Sequence, residues 1–113
     1  MLSILYYPDG SQGPVRDYLD DLVTERPKAF ARLALDIEIL GAEGLRSRQI
    51  SIRPLGGRLW ELKRLYDGSQ YRIFIGVKKS NIWLLHAIEK KSAKTPRGDL
   101  ELARKRLRKV IRL

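Results

Sequence analysis

The segment from residue 59 to residue 88 constrains the fold most, because it holds three apolar runs separated by short polar connections. The runs are Leu59–Tyr66, Gln70–Val77 and Ile82–Ile88, and the connections are Asp67-Gly-Ser69 and Lys78-Lys-Ser-Asn81. Polar connections of this length favour hairpins between neighbouring strands. We therefore predict that the runs form an antiparallel meander, in which the third run, apolar on both faces, is covered on both sides.

Two helical patterns precede the meander. Apolar residues recur with helical spacing over residues 14–23 and again over residues 27–40, and Gly41 and Gly44 are expected to end the second helix. The short link between the patterns predicts a helical hairpin. Before them, the apolar run at residues 2–7 is followed by a turn signal and predicts an N-terminal strand.

A third helix is predicted after the meander, with Thr95 as its N-cap and Pro96 at its first position. Residues 45–57 are basic and are interpreted as an irregular connection. The predicted order is β-α-α-β-β-β-α, and the predicted class is α+β. In this single domain of residues 1–113, an N-terminal strand and a helical hairpin pack on a twisted antiparallel sheet with a C-terminal helix.

The charge of the chain is strongly asymmetric. Residues 1–45 carry four basic and eight acidic side chains, whereas residues 46–113 carry 19 basic and five acidic ones, a net charge of +14. Such a basic half attracts polyanions, and we expect contact with nucleic acid or the ribosome. The alternatives are an anionic membrane, an acidic protein or a merely solvated surface.

Composition also argues against several kinds of site. The chain has no cysteine and one histidine, which excludes thiolate sites and argues against a zinc or metal-hydrolase cluster. Neither a Walker A motif nor a dinucleotide fingerprint occurs, so we expect no metal and no cofactor. The N-terminus lacks the pattern of a signal peptide, and no apolar run approaches the roughly 20 residues that span a bilayer. We therefore expect a cytoplasmic protein that does not act at a membrane.

RNA cleavage is a reaction that cationic side chains can support without a metal. The ribose 2′-OH is an internal nucleophile, and the reaction needs a base, an acid and positive charge on the transition state. Arginine and lysine provide the charge, and a lysine near other cations can also transfer protons.

Several residues of the predicted strands suit these roles. Arg72 lies inside an apolar strand and is either a site residue or one half of a structural ion pair with Glu61. Glu61 is equally a candidate base or the partner that orients Arg72 or Lys63. His86, also within an apolar strand, is a candidate for proton transfer, although a core histidine is the more common case.

Basic residues outside the strands are candidates for binding RNA or the ribosome. One set lies between the sheet and the last helix, and the other follows i+4 spacing on that helix. The alternative for both sets is a solvated charged face. The residues are Lys90, Lys91, Lys94 and Arg97 in the first set, and Arg104, Arg108 and Arg112 in the second.

An ordered series of motifs resembles a known family. The series contains Leu55-Gly-Gly-Arg-Leu-Trp-Glu-Leu-Lys63, Tyr71-Arg-Ile-Phe74, Leu84-Leu-His-Ala-Ile-Glu-Lys-Lys91, Lys94-Thr-Pro96 and Glu101-Leu-Ala-Arg-Lys-Arg106. Together they resemble the phage-related, HigB-type branch of the RelE/ParE toxin superfamily. The similarity covers residues 1–112 and is most specific from residue 55 to residue 106.

The resemblance implies a RelE-like, microbial RNase-like fold and a type II toxin. Such a toxin is a ribosome-dependent endoribonuclease that cuts mRNA in the ribosomal A site, inhibits translation and is neutralised by a cognate antitoxin, often a helix-turn-helix protein. The residues matching the basic catalytic pattern of RelE-like enzymes are Lys63, Arg72 and Lys91, with Lys90 and Lys94 nearby.

Two departures from the RelE-like pattern leave alternatives open. Glu61 stands where such enzymes have a lysine, and no tyrosine follows Tyr71. One alternative is a ParE-like toxin that poisons DNA gyrase without being a nuclease. The other is a catalytically inactive, nucleic-acid-binding phage protein.

Overall fold

The computed structural model describes residues 1–91 and 94–112. In chain order, the elements are β1 (Ser3–Tyr6), α1 (Pro14–Glu25), α2 (Pro27–Glu43), a 3₁₀ turn (Gly44–Arg46), β2 (Ser51–Gly56), β3 (Leu59–Tyr66), β4 (Ser69–Lys78), β5 (Asn81–Lys90) and α3 (Arg97–Ile111). None of these helices is both long and apolar enough to cross a membrane.

The sheet has five strands in the order β1-β5-β4-β3-β2. β1 pairs with β5 in parallel, and the other pairs are antiparallel. The hairpin of α1 and α2 buries one face of the sheet, against residues such as Leu62, Ile73 and Leu84. Helix α3 packs on the opposite face, against Phe74 and Leu85. The α+β class, the meander of β3 to β5 and the coverage of β5 on both faces are confirmed.

Strand β2 corrects the prediction that residues 45–57 form an irregular connection. Its residues pair with β3 at the edge of the sheet. The strand pattern is hidden because most of its side chains are exposed and because Pro54 interrupts the run. Proline has no N–H to donate, and an edge strand is where this loss is tolerated.

Two predicted helix ends also differ from the structure. Helix α2 continues through Gly41, whose carbonyl accepts a hydrogen bond from the Leu2 N–H at 2.8 Å, and it ends at Glu43 with Gly44 as its C-cap. The prediction was therefore wrong for Gly41 and is confirmed for Gly44, whose φ of 78° favours glycine. The N-cap of α3 is Pro96, not Thr95. The Thr95 hydroxyl instead accepts a hydrogen bond from Arg72 and donates one to Glu61, and α3 has no side-chain capping hydrogen bond.

Helix α2 is held to the sheet by a buried ion pair. The Asp36 carboxylate accepts two hydrogen bonds from Arg64 on β3, at 2.6 and 2.8 Å. Asp36 is buried and Arg64 is partly exposed. These hydrogen bonds raise the pKa of the Arg64 guanidinium, and they fix the position of the hairpin on β3.

Gly76 sets the distance between α3 and the sheet. A Cβ atom at this position of β4 would lie 2.3 Å from Cδ1 of the buried Leu107. We expect Gly76→Ala to lower the free energy of unfolding by about 1–3 kcal/mol, because it overpacks this layer. Urea denaturation measures the change. The matched control is Gly98→Ala in the first turn of α3, where the added Cβ meets nothing within 4 Å. Equal stabilities of the two variants would contradict the argument.

Candidate active site

Several polar side chains lie near the N-terminus of α3, on the sheet face that α3 covers. The register aligns Arg53 with Glu61, Glu61 with Phe74, and Phe74 with His86 across four strands. Lys63 and Arg72 form a pair two residues further along the same face. Period-2 alternation therefore brings the candidates of β3, β4 and β5 to one face of the sheet.

Arg72 is completely enclosed. Its side chain is 1% exposed, and its Nη1 lies 3.2 Å from Oε2 of Glu61, whose side chain is 0% exposed. Arg72 also donates to the Gln70 side-chain oxygen at 2.7 Å and to the Thr95 hydroxyl. This geometry is that of a structural ion pair, one of the two interpretations of Arg72, and it gives the guanidinium a fixed position under the surface.

Both oxygens of Glu61 are engaged. Oε1 accepts a hydrogen bond from Arg53 Nε at 2.9 Å, and Oε2 accepts from Arg72 and from the Thr95 hydroxyl, each at 3.2 Å. Because both oxygens already accept hydrogen bonds and the side chain is fully buried, Glu61 has no free oxygen to offer a substrate. Glu61 instead orients Arg53, whose side chain is 57% exposed and presents its charge at the surface.

His86 forms a second polar pair on the same face. Its Nε2 lies 2.7 Å from the Asp99 carboxylate in the first turn of α3. Its ring stacks on Phe74, with the ring centroids 5.8 Å apart and the planes inclined by 15°. His86 is two strands from Glu61, a backbone separation of about 10 Å. The contacts with Asp99 and Phe74 fix the imidazole, and its 16% exposure leaves it in contact with solvent.

Lys63 and Lys90 complete the basic character of this face. Lys63 is half-buried opposite Arg72, and within residues 1–91 and 94–112 its side chain forms no hydrogen bond or ion pair. Lys90 is half-buried at the end of β5, where it pairs in register with Gln70. Both ammonium groups are therefore available to a bound anion.

Lys91, Lys94 and Arg97 are not part of the buried cluster around Arg72. Lys91 lines a cleft of about 520 Å³ on the hairpin side of the sheet, the face opposite Arg72. Lys94 is exposed. Arg97, the first residue of α3, is exposed and forms an i,i+4 ion pair with Glu101. The structure therefore groups Glu61, Lys63, Arg72 and His86 on one face, but does not bring Lys91 to them.

A hydrogen-bonded cluster borders the hairpin-side cleft. Glu89 accepts hydrogen bonds from Tyr18 at 3.0 Å and from Arg26, which also donates to the Tyr71 hydroxyl at 3.0 Å. Burial and the hydrogen bond to Glu89 raise the pKa of Tyr18, and the contacts with Tyr71 and Glu89 raise the pKa of Arg26. The cluster thus holds α1 and the start of α2 on β4 and β5.

The predicted basic stripe of α3 is divided. Arg104 donates to the carbonyl oxygens of Leu55 and Gly56, at 2.9 and 3.0 Å, and so holds the end of β2 against the helix. Arg108 and Arg112 are exposed, as are Lys105 and Lys109. The outer face of α3 therefore keeps four cations for a polyanion, while Arg104 supports the fold.

The model of one protein family matches residues 17–108, described as phage-derived protein Gp49-like (DUF891). The chain belongs to this Gp49-like family. The match covers most of the chain and contains every candidate site residue except Arg112. No curated protein and no solved structure gives a significant match.

Three residues of the candidate site were not predicted from the sequence. Arg53 was not predicted because it lies in β2, whose exposed side chains and Pro54 do not give a strand pattern. Thr95 was interpreted as a helix cap. Asp99 lies 13 residues from His86, and only the fold brings their side chains together. The one available signal for Asp99 was its position in the first turn of a predicted helix. Helix dipoles favour an acidic residue there in any protein, so this position alone does not indicate a functional site.

Proposed function

We propose that this Gp49-like chain is the toxin of a type II toxin–antitoxin system and cleaves mRNA in the ribosomal A site. The observation that carries the proposal is the basic sheet face, on which Arg53, Lys63 and His86 surround a buried Glu61–Arg72 pair. Metal-independent RNA cleavage requires cations for the phosphate and groups that transfer protons, and this face offers both. The resemblance to RelE-like toxins gives the substrate.

Each residue has a role in the proposed reaction. His86 takes the proton of the ribose 2′-OH, whose oxygen bonds to phosphorus. The bond from phosphorus to the 5′-oxygen breaks, and that oxygen takes a proton from the Lys63 ammonium. The His86 imidazolium then releases its proton to water and the Lys63 amine takes a proton from water, which restores both groups. Arg53 binds the non-bridging phosphate oxygens, while Glu61 and Arg72 hold Arg53 and the strands in place. The products end in a 2′,3′-cyclic phosphate and a 5′-hydroxyl.

The proposed partners follow from charge. The four exposed cations of α3 (Lys105, Arg108, Lys109 and Arg112) contact ribosomal RNA, and the protein acts in the cytoplasm. Lys90, Lys94 and Arg97 extend the basic surface beside the active site. A cognate antitoxin, a helix-turn-helix protein with an acidic or apolar segment, covers this face and blocks it.

One observation favours the alternative of a ParE-like gyrase poison. Arg72, which matches a basic catalytic position of RelE-like enzymes, is buried in an ion pair with Glu61. Because Arg72 is used in this structural pair, fewer cations remain for catalysis. A toxin that acts only by binding gyrase needs no catalytic cation. The two proposals differ in the molecule that is damaged first, which is mRNA for the endonuclease and DNA for the gyrase poison.

The test is tightly controlled expression in a bacterium, followed within minutes by mapping of new mRNA 5′ ends. Growth arrest with cuts inside translated codons supports the endonuclease. Arrest with intact mRNA and induction of the DNA-damage response contradicts it and supports the gyrase alternative. Tolerated expression without cuts contradicts both toxin proposals and supports the inactive nucleic-acid-binding protein.

Lys63→Ala is expected to lower the cleavage rate about 100-fold, because it removes the acid and one positive charge at the phosphate. The matched control is Lys28→Ala, which removes one exposed lysine from the opposite side of the sheet and leaves the rate unchanged. Rates are measured with purified proteins on ribosome-bound mRNA. Equal rates for the two variants would remove Lys63 from the mechanism.

A further inference from the structure

The hydrogen bond between His86 and Asp99 fixes one specific nitrogen of the imidazole, which anchoring of α3 alone does not require. The Asp99 carboxylate meets Nε2 at 2.7 Å. In the described part of the chain, this is the one side-chain hydrogen bond that either residue makes. Asp99 lies in the first turn of α3, whose N-cap provides no side-chain hydrogen bond, and the dipole of that helix favours a negative charge there.

The other side of the imidazole is also fixed. Phe74, buried and directly opposite His86 in the sheet register, stacks against the ring. The ring therefore has one orientation, with Nε2 toward Asp99 and with Nδ1 as the remaining nitrogen. Because the side chain is 16% exposed, Nδ1 has a route to solvent and substrate.

We propose that Asp99 is a positioning residue that selects the tautomer of His86. An ionised carboxylate can only accept, so the proton of the neutral imidazole lies on Nε2 and the lone pair lies on Nδ1. Nδ1 is then the atom that takes the 2′-OH proton, and Asp99 stabilises the imidazolium that results. This inference rests on the proposed function, and it identifies both the reacting nitrogen and the group that prepares it.

The variant Asp99→Asn distinguishes a role of Asp99 in positioning His86 for catalysis from a role in anchoring α3 to the sheet. The amide keeps the size of the side chain and can still accept from Nε2–H through its oxygen, but it carries no charge to stabilise the imidazolium that forms during proton transfer. We expect kcat to fall at least tenfold while KM for ribosome-bound mRNA is unchanged. Asp99→Glu is expected to recover part of kcat, because it restores the carboxylate.

The tautomer is measured directly by NMR. His86 is the only histidine of the chain, so the two ring ¹⁵N resonances need no assignment among several residues. At a pH where the ring is neutral, we expect a protonated Nε2 and an unprotonated Nδ1 in the native protein. A protonated Nδ1 in the native protein, or an Asp99→Asn protein with lower stability but full kcat, would overturn the inference.

Failure of the inference is distinguishable from failure of the proposed function. If the native protein cleaves no RNA, the proposed function fails, and the role of Asp99 in catalysis fails with it. If the native protein cleaves RNA and Asp99→Asn cleaves it with the same kcat, only the positioning role fails.

Discussion

Replacement of Arg72 by alanine is expected to lower the free energy of unfolding by about 3 kcal/mol. The substitution leaves the carboxylate of Glu61 fully buried beside Thr95, with Arg53 as its remaining cation at the edge of the sheet. Removal of one partner of a buried ion pair typically costs about 3–5 kcal/mol, and Arg53 offsets part of that cost. Urea denaturation, with the native protein as reference, measures the loss.

The matched control replaces both members of the buried pair. In Glu61→Leu/Arg72→Met no charge is left buried, so the double variant is expected to be about as stable as the native protein, or more stable. Arg53 is then free to be hydrated because it is more than half exposed. A single Arg72→Ala variant within about 1 kcal/mol of the native protein would show that the pair is solvated in solution. Loss of toxicity in Arg72→Ala therefore needs a folding measurement beside it.

His86→Gln is expected to reduce the rate of mRNA cleavage by about 100-fold to 10,000-fold, the contribution typical of a positioned acid or base. Glutamine can still bond to Asp99 and fill the space on Phe74, so the fold is expected to survive. The effect falls on kcat, because the imidazole acts in proton transfer and the phosphate is bound by cations elsewhere. Single-turnover cleavage of ribosome-bound mRNA measures it.

Two controls accompany this variant. Its thermal melting curve is compared with that of the native protein, and its binding to ribosomes is measured separately. A folded, ribosome-bound His86→Gln protein that cleaves at the native rate would remove the histidine from the mechanism, and Lys63 and Arg53 would then have to act without it.

The elements were largely predictable because their patterns are local. Period-2 alternation identified β3 and β4 and assigned Arg72 to the face opposite Tyr71, and helical spacing identified α3. Strand β2 was missed because it lies at an exposed edge and pairs with only one strand. Its sequence therefore shows little alternation of apolar and polar residues. Its pairing with β3 is a tertiary property.

The site was predictable only as a set of candidates. The pairing of Arg72 with Glu61 was one of the alternatives, since a buried arginine needs a carboxylate. The sequence could not show that Arg53 shares the same carboxylate or that Asp99 meets His86, because these contacts join residues of different elements. The side of the sheet on which Lys91 lies was also hidden, because the residue follows the end of β5.

The most direct measurement of the central claim uses purified protein with an end-labelled mRNA, either bound to ribosomes or free. The account predicts cleavage within the A-site codon only when ribosomes are present, and a 2′,3′-cyclic phosphate on the upstream product, because the 2′-oxygen is the nucleophile. Intact mRNA in both samples, or an upstream product that ends in a 3′-hydroxyl, would contradict it.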